Sequence, residues 1–193
     1  KRTDMVGLEA SLISHQEIWK ASGHVGGFAD ALVDCKNCKA RRRADHLIED
    51  ALSMQVEGLS PEELTKIIKE NKIPCPNCKK SDWTDVRKFN LLFPVQMGIV
   101  EGAQSLAYLR GETAQGMFVN FKNVLDSSRV KLPFGIAKVG KSFRNEITPG
   151  NSVFRTLVFE QAEIEYFFDP EATDWNNLYE DWKATLYSFV TDK

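Results

Sequence analysis

The sequence predicts an α+β protein, an antiparallel β-sheet flanked by helices and carrying a helical, metal-binding insert. Three observations support this. From Lys138 to Phe167 the chain alternates over two long strands around the turn-rich run Thr148-Pro149-Gly150-Asn151-Ser152. Apolar residues recur at helical spacing after Thr113 and again after Pro170. Four cysteines fall as two C-x-x-C pairs with helix-forming sequence between them.

At 193 residues with 42% hydrophobic side chains, the chain can bury a core as one domain with a small satellite. A formal charge of -2 argues against a protein that coats nucleic acid by bulk charge, although local basic patches stay possible. No apolar run approaches the roughly 18 residues of a membrane span, and the first residues do not resemble a signal peptide. A soluble, cytoplasmic protein with no membrane partner is expected.

In chain order, Met5, Val6, Leu8, Leu12 and Ile13 suit an extended segment with a later helical turn, and a short helix is expected from His15 to Ala21. Ser22-Gly23-His24-Val25-Gly26-Gly27-Phe28-Ala29-Asp30 reads as a loop whose glycines also permit close approach to a ligand or a strand. His24 alone does not mark catalysis.

Cys35-Lys36-Asn37-Cys38 and Cys75-Pro76-Asn77-Cys78 are two near-identical knuckles, each followed by Lys. Four thiolates on two short turns suit tetrahedral Zn²⁺, and a site made of four cysteines leaves no open position, so the metal would be structural. Free or redox-active thiols are the alternative. Between the knuckles, Asp45 to Gly58 and Ser60 to Asn71 look helical, the second opening on Ser60-Pro61-Glu62-Glu63, a capping-box pattern. The run Arg41-Arg42-Arg43 is either a solvated basic face or a contact for RNA phosphate or a substrate carboxylate. Asp45 could hold one of these arginines.

Phe89 to Phe93 is a predicted strand ended by Pro94, and Gln104 to Leu109 a second one that leads into a helix capped by Thr113. Met117, Phe118, Phe121, Val124 and Leu125 would be that helix's core stripe. Arg110 and Glu112, at the strand end, either project into a cleft or form a surface ion pair. Trp175, Leu178, Tyr179, Trp182, Leu186, Phe189 and Val190 mark a last amphipathic helix whose stripe reads as packing. In the second long strand, Arg155, Leu157, Phe159, Gln161, Glu163 and Glu165 share one face, and Val158, Ala162, Ile164 and Tyr166 the other. The apolar face suits a core and the polar face a ligand.

Several stretches together resemble the class II aminoacyl-tRNA synthetases, and closely the catalytic domain of the homodimeric type of glycyl-tRNA synthetase. They are Ser22 to Asp30, Arg43-Ala44-Asp45-His46, Glu112-Thr113-Ala114-Gln115-Gly116, Val119-Asn120-Phe121-Lys122 and Phe143-Arg144-Asn145-Glu146-Ile147-Thr148-Pro149. The last is similar to the second class-defining motif, and the resemblance spans nearly the whole chain. It implies an organisation of 1–34 as the start of a catalytic domain, 35–80 as a helical zinc-binding insert held by the four cysteines and 81–193 as the catalytic core.

The resemblance implies ATP-dependent activation of glycine to glycyl-adenylate, with Mg²⁺ accompanying ATP, then transfer to tRNA(Gly). Arg144 would be catalytic, holding the α-phosphate with an always-charged planar fork. Glu146 would read the adenine amino group or position the acceptor end, Phe159 would stack on adenine, and Arg155, Asn145 and Phe154 complete the expected ATP contacts. Glycine and its ammonium would meet Arg43, Glu112, Phe159, Glu160, Gln161 and Glu163. A carboxylate is already a nucleophile, so positioning and electrostatics carry the step. Selectivity for glycine would come from excluding larger side chains.

The chain departs from the family pattern where Pro is replaced by Ala31 and by Gly111, and where an Arg-Glu pair is replaced by Leu157-Val158. The family's third motif, Gly-x-Gly-x-x-x-Arg, its anticodon-binding domain and most of the first motif's helix have no counterpart here, so a partial catalytic domain is expected. Leu157 removes a charge from the nucleotide face. The alternative is a synthetase-derived module that binds nucleotide, amino acid or RNA without ligation.

Overall fold

The computed structural model describes residues 2–99, 105–150 and 152–191. Gln104 of the second expected strand and Asn151 of the expected turn lie outside them. In chain order the elements are β1 (Met5–Gly7), β2 (Ile13–His15), α1 (Gln16–Ala21), α2 (His24–Gly27), β3 (Ala29–Asp34), β4 (Arg41–Arg43), α3 (Ala44–Leu52), α4 (Pro61–Glu70), β5 (Arg87–Asn90), β6 (Pro94–Met97), β7 (Ser105–Leu109), α5 (Ala114–Ser128), β8 (Phe134–Phe143), β9 (Val158–Phe167) and α6 (Trp175–Thr191). This is a mixed α+β chain.

The described strands form three three-stranded sheets, ordered β1-β8-β9, β2-β7-β6 and β4-β3-β5. All pairings are antiparallel except β1 with β8, which is parallel, so the largest sheet is mixed. The long intervening chain permits that return. β8 and β9 pair without a break from Phe134 opposite Phe167 to Phe143 opposite Val158.

Two cores form. One runs from Val33 to Val86 through Ala44, Leu47, Ile48, Leu64, Ile68 and Trp83, and the two buried cysteines, Cys35 and Cys75, belong to it. α4 is fixed by the predicted capping box: Ser60 Oγ accepts from the Glu63 amide at 3.3 Å, and Glu63 Oε2 accepts from the Ser60 amide at 2.8 Å. The other core joins Met117 and Val124 of α5 to Phe134 and Ile136 of β8. Phe121 and Phe167 pack against it with ring centroids 4.5 Å apart.

Several local expectations change. The Gly-rich segment is not all loop: Gly23 takes φ 81° and starts the single turn α2, and β3 begins at Ala29. Pro94 does not end a strand but opens β6, a position that costs no ladder donor. α3 stops at Leu52 instead of reaching Gly58, closed by Ser53 in the left-handed region at φ 53°. Strand structure on the far side of the turn begins at Val158, not Phe154.

The faces of the long pair are also reversed in burial. The face bearing Lys138, Ser142, Gln161 and Glu163 is the covered one, because the segment around Glu9 and Ala10, the end of β7 and α5 pack on it. On the apolar face Val139 is 68% exposed and Ile164 46%. A cavity of about 860 Å³ lies there, lined by Val139, Ala162, Ile164, Tyr166, Trp182 and Leu186 among others. α6 therefore does not bury its stripe as expected: Trp182 meets Tyr166 with centroids 5.3 Å apart, whereas Trp175, Tyr179, Leu186, Phe189 and Val190 stay exposed. Phe118 of the α5 stripe is likewise 53% exposed. Among the described residues no helix is long and apolar enough to cross a membrane.

Candidate active site

β8 ends at Phe143: the Arg144 amide still donates to Leu157 O (3.0 Å), the next position opposite it in the strand register, but the Asn145 amide turns away to Leu91 O (2.8 Å). Arg144, Asn145 and Glu146 thus lie in irregular backbone at the strand end and not on one strand face. The Arg144 guanidinium lies over two rings, its central carbon 5.2 Å from the Phe28 centroid and 5.1 Å from that of Phe159. Its Nε approaches Gly111 O at 3.4 Å. Among the described residues nothing bonds its terminal nitrogens, so two donor groups of a fixed cation stay available.

A second group lies beside it. Arg43 is the arginine that Asp45 holds, through Nη2 to Oδ2 (2.6 Å) and Nε to Oδ1 (3.2 Å). Arg43 Nη1 also lies 3.0 Å from Asp30 Oδ2, an ion pair without hydrogen-bond alignment. Burial pushes the Asp30 carboxyl up, against the opposing pull of Arg43. Arg155 Nε lies 3.9 Å from Glu146 Oε2, a loose pair. Charge interactions of Glu146 with Arg43 and of Arg155 with Asp30 tie these four residues into one alternating cluster.

The third group is acidic. Glu112 Oε1 lies 3.2 Å from His24 Nε2, and His24 Nδ1 lies 2.9 Å from Ser22 Oγ. Thr113 does not cap α5 with its side chain; its fully buried hydroxyl donates to Glu163. Ser142 Oγ donates to Gln161 Oε1 at 3.3 Å. Burial first, then Glu163 and Glu112, push the Glu165 carboxyl above its ordinary range. Carboxylates held this close favour a cationic guest.

Not every predicted site residue joins. Phe154 is 89% exposed in the turn, and Glu160 lies on the opposite face of β9 from Gln161 and Glu163. Phe28, Thr113, Asp30 and Glu165 are the contributors that spacing did not single out. Only the glycines before Phe28, which permit close approach, gave any signal for it.

The four cysteine sulfurs lie within 4.8 Å of one another, with Cys35 Sγ to Cys78 Sγ and Cys38 Sγ to Cys75 Sγ both 3.6 Å. A tetrahedron with Zn–S bonds of ~2.3 Å has edges of about 3.8 Å, so the set fits that ion. The two knuckles share one backbone shape: the Lys39 amide donates to Cys35 O at 2.9 Å and the Lys79 amide to Cys75 O at 2.8 Å, with φ 60° and 64° at the two lysines. The Cys38 amide and then that of Asn37 bring the Cys35 thiol down to about 7, against burial. At Cys38 the Ala40 amide favours the thiolate, but burial and three sulfur neighbours drive the thiol up to about 11. Sulfurs this crowded cannot all ionise without a cation between them.

Comparison with known proteins adds the following. The family model described as glycyl-tRNA synthetase insertion domain 1 matches residues 53–91, which include the second knuckle. A glycine–tRNA ligase of Mycoplasma capricolum subsp. capricolum is 52% identical over 189 residues, 97% of this chain and 41% of that protein. The glycine–tRNA ligase of Ureaplasma urealyticum serovar 10 is 55% identical over 174 residues, 89% of this chain and 37% of its own. That of Clostridium perfringens is 52% identical over 192 residues, covering 96% and 40%. The chain therefore spans about two fifths of the length of these curated relatives. Among solved structures, the RNA-binding domain of threonyl-tRNA synthetase from Cryptosporidium parvum Iowa II has a TM-score of 0.46 at 19% identity, over 96% of this chain and 29% of that one, a likeness too loose to assign a fold.

Proposed function

From the premise that this chain belongs to the glycyl-tRNA synthetase family, as part of a longer kind of protein, we propose that it supplies the adenylate-binding surface of a glycine–tRNA ligase. The reaction is ATP-dependent activation of glycine followed by transfer to tRNA(Gly). In this reading residues 1–34 and 81–193 belong to a class II catalytic region, acting in the cytoplasm and pairing with a second copy, and 35–80 is its zinc-binding insert.

The observation that carries the reading is the pairing of an aimed cation with an acidic pocket beside one strand pair. Arg144 keeps its terminal nitrogens free next to Phe159, and Glu112, Glu163 and Glu165 gather nearby on the covered side. A glycyl-adenylate has the complementary charges, an anionic phosphate and a cationic ammonium.

In the proposed step, Arg144 binds the α-phosphate and stabilises the charge that grows there as the glycine carboxylate attacks, the α–β phosphoanhydride bond breaks and pyrophosphate leaves. Glu112 and Glu163, oriented by His24 and Thr113, hold the ammonium and so aim the carboxylate. Gln161, steadied by Ser142, adds a neutral polar contact. Arg43, fixed by Asp45 and Asp30, presents charge from the insert side, and Glu146 and Arg155 border the nucleotide. Mg²⁺, when bound with ATP, offsets phosphate charge. Cys35, Cys38, Cys75 and Cys78 would hold Zn²⁺, which closes the insert and takes no part in the chemistry.

Titration of the isolated chain with a non-hydrolysable glycyl-adenylate analogue tests the reading. One analogue should bind per chain, and Arg144→Ala should weaken binding by at least about tenfold, as expected for a lost charged hydrogen bond. No saturable binding by the wild type contradicts it. Leu157, 40% exposed just before β9, brings no charge to the nucleotide side and favours a second reading, a non-catalytic binding module. Binding without glycine-dependent ATP–pyrophosphate exchange supports the module; binding with exchange supports the ligase.

A further inference from the structure

We infer that Phe28 is a positioning residue for Arg144, a role that rests on the adenylate-site reading above. The guanidinium of Arg144 lies over two aromatic rings, Phe28 at 5.2 Å and Phe159 at 5.1 Å. The two rings are not equivalent once a nucleotide is present. A base that stacks on Phe159 competes with the guanidinium for that ring, and Phe28 is then the ring that keeps the cation aimed at the phosphate. An arginine left without either ring would sample many rotamers and lose its preset direction.

Phe28 is built to stay in place. Its amide donates to His24 O at 3.1 Å and its carbonyl accepts from the Leu91 amide at 2.9 Å. Its ring rests on the His24 ring with centroids 5.2 Å apart. The ring lies close against the backbone of Gly111, where an added Cβ would come within 2.9 Å of it. Phe28 is a member of neither hydrophobic core. The same ring thus touches the residue that holds Glu112 and the residue that meets phosphate, so it links the two halves of the site.

Two measurements test the role. In the unliganded wild type, NMR should find the Arg144 side-chain protons shifted upfield by the two rings; random-coil shifts there overturn the inference whatever any variant does. Affinity for the glycyl-adenylate analogue gives the second. Phe28→Leu should weaken it by about three- to thirty-fold, the range for a cation–π contact, while Phe28→Tyr, which keeps the ring face, stays within about twofold. In an Arg144→Ala background Phe28→Leu should cost nothing more, because the ring acts through that side chain. Equal losses in both backgrounds overturn the positioning role and leave the adenylate site standing; a wild type that binds no analogue refutes the site and this role with it. If Phe28→Leu does not fold, as judged by circular dichroism, loss of affinity in Phe28→Tyr overturns the inference and retention together with the ring shifts supports it.

Discussion

At the scale of single residues, the site is an arrangement of charges whose partners lie far away in sequence. Strand alternation carried on past Phe143 would set Arg144 and Glu146 on one face, but the Asn145 amide turns away to Leu91 O and the strand stops at Phe143. The types of residue were legible, and the contact of Arg144 with Phe28 was not, because nothing local encodes a pairing over more than a hundred positions. The same holds for Glu163, whose partner is the hydroxyl expected to cap α5. Glu165 offers a test of the acidic pocket. Its carboxyl is raised by burial and then by Glu163 and Glu112, so the folded chain holds that proton more tightly than the unfolded chain. Its contribution to stability is complete below the ordinary carboxylate range and is lost as pH rises through the raised value. Glu165→Gln should therefore raise the melting temperature at pH 7, with the gain vanishing near pH 4. A gain independent of pH would mean that the carboxyl is not crowded.

At the scale of elements, the paired strands, the capped helix α4 and the two knuckles were all readable, each from a short pattern with a physical cause. Period-two alternation with a turn-forming run specifies β8 and β9, and Ser60 with Glu63 specifies the start of α4. Which face of β8 and β9 becomes covered was not readable, since it depends on Glu9, Ala10, Thr113 and Met117 arriving from elsewhere. The knuckles make a separate prediction. Cys35 pairs in an isolated bridge with Trp83, whose indole donates to Ile73 O at 2.7 Å inside the same core. Protein purified without chelator should contain about one zinc per chain, and its removal should lower the melting temperature and red-shift tryptophan emission as Trp83 meets water. Metal-free protein with unchanged stability would argue for four ordinary thiols.

At the scale of the whole molecule, two cores carry the site between them. Arg43, with Asp45 and Asp30, comes from the sheet and helix packed on the core that surrounds the cysteines, whereas Glu112, Glu163 and Arg144 come from around the strand pair. In the proposed site this shared surface takes a phosphate at Arg144 and an ammonium at Glu112 and Glu163 together. Comparing the affinity of the chain for a glycyl-adenylate analogue with that for the matching acetyl-adenylate analogue, which lacks only the amino group, tests it most directly. The glycyl compound should bind at least about tenfold more tightly, the worth of a hydrogen bond to a charged group. Equal affinities would contradict the claim that the carboxylates receive the glycine ammonium.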